Sequence, residues 1–141
     1  RATAQHVEFE TELKEKVRAA GLDKRILFVG EHTNIHEWHR PLDLFVAPQR
    51  WEGFGLTPLE AMATGVPVVA TDVGELIVTG ATGTVIPVGD YEILSASVCP
   101  FLADATRTQN MGWAAGKQSA EKFNVTKEAS SLDDFYKMLV A

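Results

Sequence analysis

The fold is decided by residues 52–70, which read Glu52-Gly53-Phe54-Gly55-Leu56-Thr57-Pro58-Leu59-Glu60-Ala61-Met62-Ala63-Thr64-Gly65-Val66-Pro67-Val68-Val69-Ala70. A short apolar strand is expected just before this stretch, two glycines free its backbone, and a helix is expected to begin at Thr57 or Pro58. Such a turn directs unpaired backbone N–H groups outward, which suits a bound phosphate. Glu52 and Glu60 flank the turn, and carboxylates accept hydrogen bonds from sugar hydroxyls. A diphosphate beside sugar hydroxyls describes a nucleotide-sugar.

Apolar runs alternate with helical patterns along the chain. Strands are expected at Ile26–Gly30, Leu44–Ala47, Pro67–Ala70 and Thr84–Ile86. Helices are expected at 4–20, 35–40, 58–64, 91–103, 107–122 and 126–140. Because each strand is apolar on both faces, the pattern predicts an α/β fold, a doubly wound parallel sheet with helices on both faces. Ligands of such sheets bind beyond the carboxyl ends of the strands, in loops 30–34, 49–56 and 71–75.

The composition is that of one globular domain. The chain has 141 residues, 45% of them hydrophobic and 23% charged, which is enough for a real core. The net charge of -6 without a basic stripe argues against nucleic acid as a partner. No apolar run reaches membrane-spanning length and no signal peptide is visible, so we expect a cytoplasmic protein. The single Cys99 is expected to be a reduced thiol in the core.

Glu60 has two interpretations that the residues alone leave open. Thr57-Pro58-Leu59-Glu60 fits a capping box, with Thr57 as the N-cap and Glu60 reaching back to the Thr57 N–H. In the second interpretation Glu60 faces a ligand. Glu52 has no comparable structural role, because it follows a strand and precedes Gly53 at the expected ligand edge of the sheet.

The two glutamates and the residues after them carry a resemblance to a known family. Glu52 and Glu60, with the glycine turn between them and Gly65-Val66-Pro67-Val68-Val69-Ala70 after them, resemble the E-x7-E signature of retaining glycosyltransferases of family four. Segments 26–30, 42–48 and 82–85 resemble further parts of the same domain. The resemblance implies the C-terminal, Rossmann-like, donor-binding half of a two-domain GT-B fold. Within the family, the sequence around Glu52 most resembles that of bacterial lipopolysaccharide-core mannosyltransferases.

The resemblance implies a role for each residue of the motif. Glu52 would contact the donor sugar and stabilise the positive charge that develops near the anomeric carbon. Glu60 would accept hydrogen bonds from the ribose hydroxyls. The loop that contains Glu31 and His32 would meet the base. The donor-binding turn would comprise Gly53, Phe54, Gly55, Leu56 and Thr57, and the last three would hold the diphosphate with their N–H groups.

The implied reaction transfers a hexose, with mannose from GDP-mannose as the first choice. The donor would be a GDP- or UDP-hexose, and the acceptor a glycolipid or polysaccharide. No cofactor and no bound divalent metal would be needed, because N–H groups and basic residues would hold the diphosphate. The family's basic phosphate contacts and its acceptor-binding domain would precede Arg1. We therefore expect one domain, residues 1–141, of a longer enzyme whose missing half contacts the membrane surface.

Two rival functions stay open on the sequence. The first is a nucleotide-binding module without transfer activity. The second is a flavodoxin-like signalling or interaction domain, in which the glycines only shape a turn and Glu60 only caps a helix. The chain also departs from the family where Gly74 is followed at once by Glu75, since the family usually has a few more residues there.

Histidines, a lysine and a tryptophan lie in or near the expected ligand loops or on the later helices. His32, His36 and His39 cluster along the chain, but no complete metal-ligand spacing includes them, so we expect no metal. Lys122 is interpreted as part of a solvated helix face. Trp51 precedes Glu52, and its exposure would show whether the ring belongs to the core or faces a ligand.

Overall fold

Three of the expected apolar runs form a parallel sheet in the computed structural model, which describes residues 4–72 and 74–140. The strands are β1 (Phe45–Ala47), β2 (Val68–Thr71) and β3 (Gly83–Ile86). They lie in the order β1-β2-β3, so β2 is central, with Val69 opposite Val46 on one side and Thr84 on the other. All the carboxyl ends therefore meet at one edge of the sheet, as the doubly wound fold requires.

Helices connect and cover the strands in the expected order. Their bounds are α1 (Ala4–Ala19), α2 (Ile35–His39), α3 (Leu56–Ala63), α4 (Tyr91–Ala103), α5 (Ala105–Lys122) and α6 (Val125–Val140), with a 3₁₀ turn at Gly74–Leu76. Side-chain carboxylates cap two of them: Asp90 accepts from the Ile93 N–H, and Asp104 accepts from the Arg107 N–H, each at 2.9 Å. The Asp104 cap explains why α5 begins at Ala105, two residues earlier than expected.

Side chains of the central strand alternate between two apolar cores. Val68 and Ala70 pack in the core that contains Met62 of α3 and Ala115 of α5. Val69 points to the opposite face, into a second core with Phe101 of α4. All three β2 residues are fully buried, which confirms a sheet with helices on both faces.

Helix α5 lies unusually close to the turn that follows α3. A Cβ built on Gly112 would overlap the carbonyl of Gly65, so only glycine fits at that position. One turn later, a Cβ on Gly116 would meet its nearest atom, the Met62 carbonyl oxygen, at 3.5 Å. This close approach fixes the position of α5, whose carboxyl end reaches the ligand edge of the sheet.

Two expectations about the second half of the chain need correction or extension. Cys99 is exposed on α4 and is not a core thiol, because the apolar residues of that helix that reach the second core are Leu94 and Phe101. Helix α6 buries none of its residues, and its apolar stripe of Leu132, Phe135, Tyr136 and Leu139 is at least half exposed. Of the described helices, none is long and apolar enough to cross a bilayer.

The chain divides into two compact units, with the boundary between Thr33 and Asn34. The first unit contains α1 and the segment after it. The expected strand Ile26–Gly30 does not form there: the segment has no ladder partner in the described residues, and Leu27 is 78% exposed. A parallel strand needs a neighbour for its N–H and C=O groups, so a β-branched apolar run alone does not make one.

Candidate functional site

A cleft of about 700 Å³ lies at the carboxyl ends of β1 and β2, where the fold predicts a ligand. One wall is the turn after β1 and the other is the segment after β2, while the end of α5 closes one side. The lining residues are Glu52, Gly53, Phe54, Asp72, Gly74, Glu75, Leu76, Lys122 and Phe123.

A second cavity, of about 430 Å³, lies at the opposite edge of the sheet, near the amino ends of the strands. Residues that precede β1 and β2, such as Asp43 and Pro67, line it together with the ends of α4 and α5. It contains neither the glycine turn nor either glutamate of the motif. We therefore place the functional site in the cleft at the carboxyl edge.

Gly55 turns the chain directly into α3. It takes the left-handed conformation, with φ 89° and ψ 46°, and acts as the N-cap without a side chain. The Leu59 N–H donates to the Gly55 carbonyl at 3.0 Å, which closes the first helical turn. The helix begins at Leu56, so the predicted start at Thr57 or Pro58 is late. Pro58 fits in this first turn because its missing N–H would have no partner there.

This helix start rules out the capping-box interpretation of Glu60. With Gly55 as the N-cap, Thr57 lies inside the helix and Glu60 is five residues past the cap, too far to reach back. Glu60 is exposed, and its carboxylate makes no hydrogen bond or ion pair with another described residue. The carboxylate is therefore available to a ligand.

The glycine turn presents several unpaired backbone donors. The Gly53 N–H is occupied, because it donates to Oε1 of Glu52 at 3.0 Å. Within the described part of the chain, no acceptor is bonded to the N–H groups of Phe54, Gly55, Leu56 or Thr57. Because the last two of these open α3, the positive end of the helix dipole adds to their attraction for an anion.

Glu52 is half-buried at the start of this turn. Its bond to the Gly53 N–H orients the carboxylate and leaves Oε2 without a partner among the described residues. Along the chain the free amides lie between Glu52 and Glu60. Of the predicted site residues in this segment, Glu52, Gly53 and Phe54 line the cleft. Gly55 is buried, whereas Leu56, Thr57 and Glu60 are exposed outside the cleft lining.

The segment after β2 is tied to the segment after β1. Thr71 Oγ1 donates to the Gln49 carbonyl at 2.7 Å, and Asp72 Oδ1 accepts from the Gly74 N–H at 2.9 Å. The first bond ties the two walls of the cleft together, and the second lies within the segment after β2. Glu75, the residue at the shortened loop, follows Gly74 and lines the cleft.

The end of α5 adds residues that the sequence did not assign to the site. The rings of Phe54 and Phe123 meet edge to face, with centroids 6.0 Å apart. Lys122, which we interpreted as a solvated helix residue, lines the cleft and is the cation among the lining residues. No local pattern marks Lys122, because its place depends on the glycine contact that sets the position of α5.

Glu31 and His32 belong to the first unit, whereas the motif belongs to the second. His32 Nε2 donates to the Val29 carbonyl at 2.8 Å within its own unit. His39, the third histidine of the cluster, is buried. Its ring packs edge to face against the ring of Phe45, with the two ring centroids 5.2 Å apart. Of the described residues, no group of three or more His, Cys, Asp or Glu could hold a metal ion.

Comparison with known proteins identifies the family of this fold and motif. Residues 4–104 match the family described as "Glycosyl transferases group 1". The chain is 52% identical to the lipopolysaccharide core biosynthesis mannosyltransferase LpsB of Rhizobium meliloti (strain 1021), over 99% of this chain and 41% of that protein. The chain thus spans about two fifths of the length of that relative.

Solved structures agree with this result. The crystal structure of the C-terminal domain of a glycosyl transferase group 1 family protein (LpcC) from Francisella tularensis is 31% identical, with a TM-score of 0.79 over 88% of this chain and 67% of that one. Anabaena Alr3699/HepE, solved in complex with UDP, shares the fold with a TM-score of 0.90 at 24% identity, over 97% of this chain and 39% of that one. These matches confirm the Rossmann-like fold of a GT-B C-terminal domain and do not favour a flavodoxin-like signalling domain. The chain belongs to the group 1 glycosyl transferases.

Proposed function

We propose that this chain is the donor-binding part of a retaining mannosyltransferase that acts on a lipopolysaccharide-core acceptor. The main observation behind this proposal is the segment 52–60, in which free backbone amides lie between two available carboxylates. The resemblance in sequence to the Rhizobium mannosyltransferase supports the choice of sugar and acceptor. GDP-mannose is the proposed donor, with a UDP-hexose as the alternative.

The diphosphate would bind the amides of Gly55, Leu56 and Thr57. These N–H groups carry no other bond within the described residues, so binding an anion breaks nothing in the protein. They are also fixed before the substrate arrives, which favours stabilisation of the charge that grows on the leaving diphosphate.

The two carboxylates would act at either end of the donor. Glu60 would accept hydrogen bonds from the ribose hydroxyls, since the structure gives it no other role. Glu52 would face the transferred sugar and stabilise positive charge near its anomeric carbon. Gly53 and Phe54 would bring the backbone close to the donor, and the loop with Glu31 and His32 would meet the base.

In the proposed reaction, an acceptor hydroxyl forms a bond to the anomeric carbon while the bond from that carbon to the diphosphate breaks. The electron pair leaves with the diphosphate oxygen, which takes up the proton that the hydroxyl loses. No oxidant, reductant or cofactor is consumed. The remaining partners, including contact with a membrane surface from the cytoplasmic side, belong to this proposal for the whole protein.

Nucleotide titration tests the proposal. GDP, UDP and ADP are titrated into the protein expressed from its full coding sequence, and binding is measured by calorimetry. We expect one of the three nucleotides to bind at least tenfold more tightly than the other two, and we propose that this nucleotide is GDP. Transfer of labelled mannose from GDP-mannose to a core oligosaccharide is then followed by chromatography.

The outcomes separate the functions that remain. Binding with transfer supports the proposed enzyme. Binding of one nucleotide without transfer of any tested sugar indicates a non-catalytic nucleotide-binding module. Binding of none of the three nucleotides contradicts the donor site itself.

A further inference from the structure

Trp51 is an exposed aromatic ring beside the proposed catalytic carboxylate. It is 84% exposed, although large apolar side chains are normally covered in a folded domain. It makes no ring contact or hydrogen bond with another described residue. Phe54 and Leu56 of the same turn are also more than half exposed. The turn thus presents an apolar surface next to Glu52.

Trp51 lies next to residues of the donor cleft but does not line the cleft itself. Glu52, Gly53 and Phe54 line the cleft, but Trp51 does not. The indole extends toward Gly53, where its Cη2 atom would lie 3.8 Å from a Cβ built on that glycine. The indole is therefore close to Gly53 of the cleft lining, and Glu52 lies between these two residues in the chain.

We propose that Trp51 is the stacking surface for a sugar ring of the acceptor, an inference that rests on the proposed function. A hexopyranose presents C–H groups on its faces and hydroxyls around its edge. The C–H groups match the electron-rich face of an indole, and the hydroxyls need hydrogen-bond acceptors nearby. A ring on Trp51 would lie beside Glu52, so the reacting hydroxyl would approach the anomeric carbon of a donor held in the cleft.

The chemistry of the site favours a saccharide over another part of the protein as the occupant. Oε2 of Glu52 is a neighbouring acceptor without a partner in the described residues, and a sugar hydroxyl can use it. An apolar protein segment packed on the ring would leave that charged oxygen buried and unpaired, at a free-energy cost. The donor cleft next to it also requires that an acceptor come this close.

The test compares Trp51 with a matched tryptophan. Trp113 on α5 is 72% exposed and does not line the cleft. The Nζ atom of Lys117 lies over its ring, 5.8 Å from the ring centroid. The variants W51A, W51F and W113A are made in the protein from its full coding sequence. Steady-state transfer from GDP-mannose to a core oligosaccharide, released from lipopolysaccharide by mild acid, gives KM for each substrate.

We expect W51A to raise KM for the oligosaccharide about tenfold, the change that a lost aromatic contact of about 1.4 kcal/mol produces. KM for GDP-mannose and the Tm should not change, W51F should recover most of the loss, and W113A should match the wild type. An unchanged oligosaccharide KM in W51A overturns the inference. So does a rise in the GDP-mannose KM, or a lower Tm for W51A alone, which would place the ring in the donor site or against another part of the protein.

A binding measurement keeps the inference testable if no transfer is observed. The core oligosaccharide is titrated into the wild type and W51F while tryptophan fluorescence is recorded. A saturable change that disappears in W51F supports stacking on Trp51, even where the proposed reaction has failed. A change that is equal in the two proteins, or no change in either, contradicts it.

Discussion

At the scale of single residues, the decisive fact is that neither glutamate of the motif has a competing structural role. Glu60 lies beyond the reach of a cap, and Glu52 makes one local bond that orients it. Residues kept only for stability would be expected to pack or to pair. Glu60 does neither, and Glu52 makes only its bond to the Gly53 N–H, so on the proposed function substitution of either should affect binding or turnover more than folding.

Glu60→Gln should weaken nucleotide binding by about 10- to 100-fold, because a hydrogen bond to a charged group contributes roughly 1.5–3 kcal/mol. The free energy of unfolding should change by less than about 0.5 kcal/mol, as for an ordinary surface position. Calorimetric titration and urea denaturation measure the two effects. Glu92→Gln is the matched control, since Glu92 is an exposed glutamate near the start of α4. Equal binding by E60Q and the wild type would leave Glu60 without a role.

Glu52→Gln should lower kcat by about 10²–10³-fold, the usual cost of removing a group that stabilises transition-state charge. Nucleotide affinity should change much less, because on the proposed function Glu52 would act on the sugar as charge develops. The glutamine oxygen can still accept from the Gly53 N–H, so the turn should keep its shape. Initial rates at saturating donor, set beside the Kd for GDP, measure the difference. A variant that turns over at the wild-type rate would remove Glu52 from the mechanism.

Sequence reasoning at this scale found the motif but not its surroundings. Spacing and glycines predict a turn with free N–H groups between Glu52 and Glu60, and the described residues leave those groups free. That the turn binds phosphate stays a prediction. Residue preference favours Thr57 as the N-cap because of its hydroxyl, whereas the N-cap in the structure is the left-handed Gly55, two residues earlier. Glu75 lies in loop 71–75, which the sequence predicts at the ligand edge. Lys122 reaches the cleft only through tertiary contacts, and spacing along a chain carries no such information.

At the scale of elements, the approach of α5 to the α3–β2 turn holds the site in shape. The side-chain amide of Gln118 also donates to the Leu76 carbonyl at 2.8 Å, which links α5 to the wall of the cleft. The position of Lys122 and Phe123 thus depends on contacts made earlier in the same helix.

Gly112→Ala should destabilise the protein by about 1–3 kcal/mol, because its Cβ would overlap the Gly65 carbonyl in a packed core. Gly116→Ala is the matched control: its Cβ meets only ordinary contacts, and alanine is the better helix former by up to about 1 kcal/mol. Thermal unfolding by circular dichroism should therefore show a lower Tm for G112A and an equal or higher one for G116A. The same Tm shift in both variants would contradict the close approach.

The elements themselves were largely predictable, because long periodic runs specify helices and short apolar runs specify buried strands. Helices α1, α4, α5 and α6 and strands β1, β2 and β3 all occur where they were expected, within three residues. The run Ile26–Gly30 is the exception. Its residues suit a strand, but strand formation also needs a neighbouring strand to pair with. The five residues of the run do not show whether such a neighbour is present.

At the scale of the whole molecule, the chain spans 41% of the length of the Rhizobium relative. On the proposed function, the acceptor and part of the diphosphate would be bound by the rest of the protein. The 141-residue chain alone is then expected to bind GDP at least tenfold more weakly than the full coding sequence and to transfer no sugar. Calorimetry and the mannose-transfer assay on both proteins check this. Transfer by the short chain alone would show that it contains the complete site.

The left-handed Gly55 has a consequence for genetics. Any side chain at this position meets a backbone conformation that costs an L-residue about 1–2 kcal/mol, whether or not a substrate is present. In a library of random codons, position 55 should therefore be intolerant both in a screen for cell growth and in a screen for folded protein. On the proposed function, codons 52 and 60 should be intolerant only in the growth screen, so the pair of screens would separate the residue that shapes the turn from those proposed to bind the donor.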